Sequence, residues 1–352
     1  MLTGAVAEAF AKQAGFCRWS GSEFTARVCE AAALALDAGT ATGARVQAWP
    51  GEAFADALMM RVTGALNALV RRGGAPLLAP LYPPAAAPDV AVLAAAIAAQ
   101  LADRAADRFA HDFLDSPPQT NEVMRASGLF PGLMTVAAAT GLPLRLFELG
   151  ASAGLNLNMD RFAYVLGGQP AGDLASPLQL VPQWGGPVPA ITPVRVASRQ
   201  GVDIAPLDVT DAAVRERLLA FVWPDQRERV ARAEAAIQLA LAHPPPLQAG
   251  DAADFVEAAV APQPGTVTLV YHSIAHQYFP PATQARLAAH MAAMGAAASA
   301  DAPLAWLRFE MDDPAQAELP TLRLALWRGG AREDRLLARV HPHGSAVNWL
   351  AA

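Results

Sequence analysis

A chain of 352 residues is long enough for one large domain or two ordinary ones, and 53% hydrophobic with 16% charged residues reads as a globular protein with a sizeable core. The net charge is −6 and Lys12 is the one lysine, so no basic stripe exists to neutralise phosphates and nucleic acid is not an expected partner. Cys17 and Cys29 are too few for a disulfide framework or a four-thiolate zinc site; as small buried apolar residues they suit a reducing cytoplasm. The first residues carry no basic leader, and the apolar stretches at 90–99 and 291–300 fall short of the roughly 20 residues that span a bilayer, so neither export nor membrane insertion is expected.

From residue 1 to about 140 the apolar spacing is helical throughout, which predicts a helical cap domain with helices at about 5–17, 22–38, 53–72, 88–114 and 121–140. Gly73 and Gly74 end the third, and the proline-rich stretch at 76–88 is an extended connector. After residue 140 short apolar runs alternate with helical segments, the signature of a mostly parallel sheet covered by helices. Strands are predicted at 144–149, at 192–197 or 201–205, and at 247–249, 266–271, 304–309, 322–327 and 336–340. Helices are predicted at 211–221, 226–242, 252–260 and 282–298. The last two strands are close enough to form a hairpin, and the glycine- and proline-rich run at 158–193 reads as an insertion over the sheet edge. The fold class is therefore α/β, a Rossmann-like sheet behind an all-helical domain.

The segment LRLFELGASAGLNL, residues 144–157, is a buried strand that breaks into a glycine turn. Gly150 and Gly154 permit a tight turn and close approach to the backbone, and a helix from about Leu155 would aim its free amides at a ligand over the turn. In such sheets ligands bind beyond the carboxyl ends of the strands, and three acids lie there: Glu148, Asp203 and Asp251. An acid after the second strand suits two ribose hydroxyls, and one after the third suits an adenine amino group.

The series FELGASAGLN, GVDIAP, AGDAADF and VTLVYHSIAHQYF resembles, in order, the four motifs of class I S-adenosylmethionine-dependent methyltransferases over residues 143 to about 345. The resemblance implies a seven-stranded sheet ending in a hairpin. It implies that Glu148, Gly150, Ser152 and Gly154 cradle the methionine part of S-adenosylmethionine, that Asp203 holds the ribose, and that Asp251 with the backbone of Ala252 holds the adenine. Tyr271, His272, His276 and Tyr278 would line the place where the methyl group leaves sulfur, with His272 or His276 taking a proton from a small-molecule substrate. The whole chain is also similar to a bacterial family known only as a domain of unknown function, through QTNEV, ELGASAGLNL, GVDIAPLD, VWPDQ, VYHS and HPHG.

Two other chemistries fit the same residues. Gly150 to Gly154 matches GxSxG, the nucleophile elbow of α/β-hydrolases, in which Ser152 attacks an acyl group and Asp312 or Asp313 with His341 or His343 completes a triad. A non-catalytic nucleoside-binding protein would keep the glycines and acids without a proton-transfer group. A metal would need more than the spacing of His272 with His276 and His341 with His343, because no cysteine or carboxylate completes either set. In the helical half, Thr120 or Asn121 is expected to cap the next helix, with Glu122 and Arg125 in its first turns, and Asp225 to cap the helix from Gln226 with Trp223 packed against it.

Overall fold

A computed structural model describes residues 1–119, 121–311 and 319–351. Contacts divide the chain into two units, Met1–Thr120 with Thr210–Glu234, and Asn121–Val209 with Ala235–Ala352. The last predicted helix before residue 140 therefore belongs with the sheet, and the segment around residues 210–234 belongs with the helices.

The first unit opens with α1 (Gly4–Trp19), α2 (Glu23–Ala35), α3 (Ala41–Gln47), α4 (Leu58–Arg71), α5 (Val90–Leu101) and α6 (Arg104–Phe113). The predicted helix at 88–114 is two helices, because Asp103 leaves helical geometry and its carboxylate caps α6 through Ala105 N and Ala106 N. Residues 41–47 lie outside the predicted helices; a single short turn set by the Thr40 hydroxyl is too brief to show a period. Phe10, Leu58, Met59 and Leu66 fill the core together with Cys17 and Cys29, both free thiols. Asp225 does not cap the helix that follows it. Its carboxylate accepts from Ser22 Oγ at 2.6 Å and Phe24 N at 3.1 Å, securing the start of α2, while Trp223 is buried edge-on to Phe16.

In the second unit α7 (Ala126–Thr140) leads into β1 (Leu144–Leu149). The insertion is ordered: β2 (Ala163–Leu166), β3 (Gln169–Gly172) and β4 (Gln179–Leu180) form a small separate sheet, and β5 (Gln183–Gly185) joins the edge of the large one. β6 (Val196–Asp203) is one strand running through both alternative predictions. The chain then supplies α8 (Ala212–Ala220) to the first unit, continues through α9 (Arg227–Ala242), and builds β7 (Leu247–Ala249), α10 (Ala252–Ala259), β8 (Val267–Ser273), α11 (Pro281–Ala297), β9 (Leu304–Glu310), β10 (Thr321–Arg328), β11 (Ala331–Val340) and β12 (Ala346–Trp349).

The sheet order is β5-β12-β11-β10-β9-β8-β1-β6-β7, nine strands where the resemblance implies seven. From β7 to β9 every pairing is parallel; β10, β11 and β12 then run as an antiparallel meander. The predicted hairpin is present and tighter than expected, with Gly329 and Gly330 at φ 60° and 81° as its whole loop. That is the two-residue turn whose twist matches the strands. Each face of the sheet is covered: α7 approaches so closely that a Cβ at Gly132 would lie 2.8 Å from Leu307, and α11 buries Leu287 and Met291 on the other side. Fully burying one such side chain contributes roughly 1.5–3 kcal/mol. Among the described residues no helix is long and apolar enough to cross a membrane.

Candidate functional site

β1 lies between β6 and β8, so the chain leaves β1 toward β6 and β7 on one side and returns to β8 and β9 on the other. Such a divergence opens a crevice beyond the carboxyl ends of the two central strands, and the Gly150–Gly154 turn lies there. Gly150, Ser152 and Gly154 have φ of 68°, 53° and 67°, a geometry that costs glycine nothing and serine something. The turn is stitched to β6: Ala151 N donates to Val202 O, and Ser152 N donates to Asp203 Oδ2 at 2.7 Å. Both glycines also admit neighbouring chain, since a Cβ at Gly150 would sit 2.6 Å from the Ala275 methyl and one at Gly154 would sit 2.9 Å from Leu247.

Asp203 Oδ1 accepts from Ala205 N at 2.9 Å, so the carboxylate already organises two backbone amides while each oxygen keeps a second lone pair for a ligand. Asp251 caps α10 through Ala253 N at 2.8 Å and accepts from Thr283 Oγ1 at 2.7 Å. Burial disfavours its charge, but the Thr283 hydroxyl and the α10 amides outweigh it and hold the carboxyl below its usual range. Ala252, beside it, is the first residue of α10. The helix expected from Leu155 is a seven-residue 3-10 turn, Leu155–Arg161, broken at Asn158. Its first amide is taken by Asn121 Oδ1 at 2.9 Å, so the arrangement is not a free helix N-terminus.

Glu148 is 2% exposed, and Tyr271 OH donates to its Oε2 at 3.2 Å. Burial raises the carboxyl to about 8; the Tyr271 hydroxyl and Arg125 oppose that rise and Asp203 adds to it. Tyr271 is itself pushed well above the usual phenol range by burial and by Glu148. The capping role expected of Thr120 lies outside the described residues, and residues 121–125 tie neighbouring segments together. Asn121 ties down Leu155, Asn156 Nδ2 donates to Glu122 O at 3.3 Å, and Arg125 donates to Ser273 O at 2.9 Å and Pro342 O at 3.0 Å. The HPHG turn abuts it, as a Cβ at Gly344 would meet Met124 O at 2.1 Å. Among the described residues, three of the four non-glycine residues at positive φ lie around this site, Asn121, Ser152 and Ile274, and a β-branched residue at φ 49° is held there only by its surroundings. Among the described residues the buried atoms Ser152 Oγ and Asn156 Oδ1 have no hydrogen-bond partner.

The two histidines after β8 have different fates. His272 is 1% exposed, its Nε2 accepts from Trp306 Nε1 at 3.1 Å and its Nδ1 lies 2.7 Å from Glu310 Oε1. A ring that accepts at Nε2 carries its proton at Nδ1 and donates it to Glu310, so both nitrogens are occupied. His276 stacks on it, with centroids 5.2 Å apart, and its ring has no hydrogen bond among the described residues; burial, helped by His272 and Arg308, keeps it below its usual range against the pull of Glu310. Glu310 also accepts from Ala275 N at 3.0 Å and His276 N at 3.2 Å, which fixes the turn that carries Ile274. Burial works against ionisation of Glu310, and the His272 and amide hydrogen bonds prevail, so its carboxyl lies below the ordinary range. Tyr278 is 76% exposed.

Glu310, Trp306 and Arg308 did not enter the reading of the sequence, although the alternation in LAWLRFE sets all three on one face of β9. Ser152 Oγ meets no imidazole, Asp312 and Asp313 lie outside the described residues, and His341 is engaged at Nδ1 by His343 N at 3.2 Å, so no triad is assembled around Ser152 among the described residues.

Fold and site together define a mixed α/β protein with a large, mostly parallel sheet. The chain belongs to DUF2332, described as uncharacterized protein conserved in bacteria, which spans residues 7–349. No curated protein and no solved structure matches it.

Proposed function

We propose that the sheet-bearing unit binds S-adenosylmethionine or a related nucleoside over the Gly150–Gly154 turn and transfers its methyl group to a small molecule. The observation that carries this reading is the position of the turn: it lies where the chain connections diverge, with Asp203 and Asp251 at the ends of the next two strands. The local chemistry suits the cofactor. Asp203 keeps lone pairs for ribose hydroxyls, Ile204 beside it is 80% exposed and offers a flat base an apolar face, and Ser152 Oγ and Asn156 Oδ1 are polar atoms in want of a partner.

The cofactor supplies an electrophilic methyl group; this chain's residues bind, orient and move a proton. His276, held toward its neutral form by burial and without a ring hydrogen bond among the described residues, is the acceptor for a proton released by the nucleophile. His272 and Glu310 position it and do not themselves exchange protons. The test is titration calorimetry with S-adenosylmethionine and S-adenosylhomocysteine, repeated on Asp203→Ala. Micromolar binding weakened at least tenfold by the substitution is expected. Absence of binding by either compound removes the reading, and labelling of Ser152 by a fluorophosphonate would then favour a serine esterase.

A further inference from the structure

Ile274, in the turn after β8, has φ 49°, where the Cβ of any residue but glycine crowds its own backbone and a β-branched side chain is a rare occupant. What holds it there is visible in the peptide groups on either side. The φ and ψ of Ile274 are the angles that relate those two planar groups, so fixing both groups fixes the residue. The group before it is gripped at both ends: its carbonyl, Ser273 O, accepts from Arg125 Nη1 at 2.9 Å, and its amide, Ile274 N, donates to Phe309 O at 2.8 Å. The group after it is gripped through Ala275 N, which donates to Glu310 Oε1 at 3.0 Å. Arg125 is itself anchored, because its Nε donates to Pro342 O at 3.0 Å, and its charge makes each of these the stronger kind of hydrogen bond.

Ile274 can return to the ordinary side of φ only if one of those groups rotates and gives up its hydrogen bonds. The turn would then lose what it now sets in place, the Ala275 methyl against Gly150 and the His276 ring on that of His272. We propose that Arg125 and Ile274 are positioning residues for His276: Arg125 holds the Ser273–Ile274 peptide so that Ile274 stays left-handed, and that conformation keeps the imidazole on His272 and the turn against Gly150. Strain of this kind persists only where the surroundings over-determine it, and here it is spent on the placement of one side chain. That His276 takes a proton rests on the methyltransferase reading above; its placement does not.

The experiment follows the ring Cε1–Hε1 signal of His276, assigned with His276→Ala, in protein labelled with 13C-histidine and 15N-tryptophan. Arg125→Met is expected to shift that signal and remove its cross-peak to the His272 ring. The Trp306 Nε1–H signal, hydrogen-bonded to His272, should stay in place and report an intact core. Adding Ile274→Gly to Arg125→Met is expected to bring the His276 signal back, because glycine takes a left-handed φ without being held there. An unmoved His276 signal in Arg125→Met, or a double variant that fails to recover it, overturns the proposal. Thermal melts of Ile274→Gly and Ile274→Ala test the strain whatever Arg125→Met does to folding. Glycine ordinarily melts below alanine, and at this position it should melt above it; the ordinary order overturns the proposal too. None of these measurements needs a ligand, so failure of S-adenosylhomocysteine to bind the parent would remove the methyl-transfer reading and leave the placement of His276 standing.

Discussion

Glu310 Oε1 lies 2.7 Å from His272 Nδ1, and that one oxygen also holds the amides of Ala275 and His276. The carboxylate at the end of β9 thereby sets the conformation of the turn after β8. The same turn places the Ala275 methyl 2.6 Å from where a Cβ on Gly150 would be, so the ends of β9, β8 and β1 are packed together through Glu310, Ala275 and Gly150.

Removing that carboxylate strands three donors in a buried place. Glu310→Ala is expected to cost about 3 kcal/mol, since hydrogen bonds to a charged group contribute roughly 1.5–3 kcal/mol each and part of the loss is recovered by water. Glu310→Gln keeps an accepting oxygen and should cost about 1 kcal/mol. Denaturant melts of the two variants measure this; equal costs would show that the hydrogen bonds to Oε1 do not hold the turn.

Glu148 gives a pH dependence of definite sign. Its carboxyl is raised from 4.5 to about 8 by burial, so the folded state keeps a proton that the unfolded state releases. Stability is full below the unfolded value and falls as pH rises from about 4.5 to about 8, by up to about 5 kcal/mol at about 1.4 kcal/mol per pKa unit. Glu148→Gln removes the titration and can still accept from Tyr271. Its melting temperature should match the parent near pH 5 and exceed it by several degrees near pH 8. Parallel pH profiles of parent and variant would refute the burial argument.

Strand periodicity in the second unit was legible because the central strands are predominantly apolar: β1 lies where its apolar residues predict, and β8, β9 and β10 within a residue or two, while the short and largely exposed β7 also has its predicted bounds. The chemistry of the ends was less so. Asp203, Asp251 and the glycine turn are visible as local patterns, but Asn121 on Leu155, Arg125 on Ser273 and Glu310 on His272 join residues 34, 148 and 38 positions apart, which no local pattern encodes. The 3-10 turn at Leu155–Arg161 was unreadable for another reason. Its leucines and asparagines are compatible with an α-helix, and distant partners hold it otherwise: Asn121 takes its first amide, Asn158 donates to His243 O, and Arg199 donates to Leu157 O and Asn158 Oδ1.

The glycine turn offers a controlled comparison. Gly141 caps α7 at φ 68° with nothing within 4 Å of a Cβ, whereas Gly150, also at φ 68°, would place its Cβ 2.6 Å from the Ala275 methyl. Gly141→Ala bears only the left-handed conformation and should cost about 1 kcal/mol. Gly150→Ala adds a clash in a packed interior and should cost about 2–4 kcal/mol, read from chemical denaturation. A Gly150→Ala variant no less stable than Gly141→Ala would mean that the turn after β8 yields easily.

The histidines separate structure from catalysis. His272→Ala leaves the Trp306 N–H and the Glu310 carboxylate without their partner in a buried place and is expected to cost about 2–3 kcal/mol, with any loss of activity following from the disturbed turn. His276 is half-buried and its ring holds no other residue by hydrogen bond, so His276→Ala should leave the melting temperature within about a degree or two of the parent. If His276 accepts the proton in methyl transfer, the same change lowers kcat by roughly 10²–10⁴ while the Kd for S-adenosylhomocysteine stays put. Loss of the acid limb of the pH–rate profile in the variant distinguishes proton transfer from misplacement, because a group that merely filled space would leave the profile's shape intact. A stable His276→Ala variant with undiminished kcat would transfer the role of base to a group of the substrate or to water.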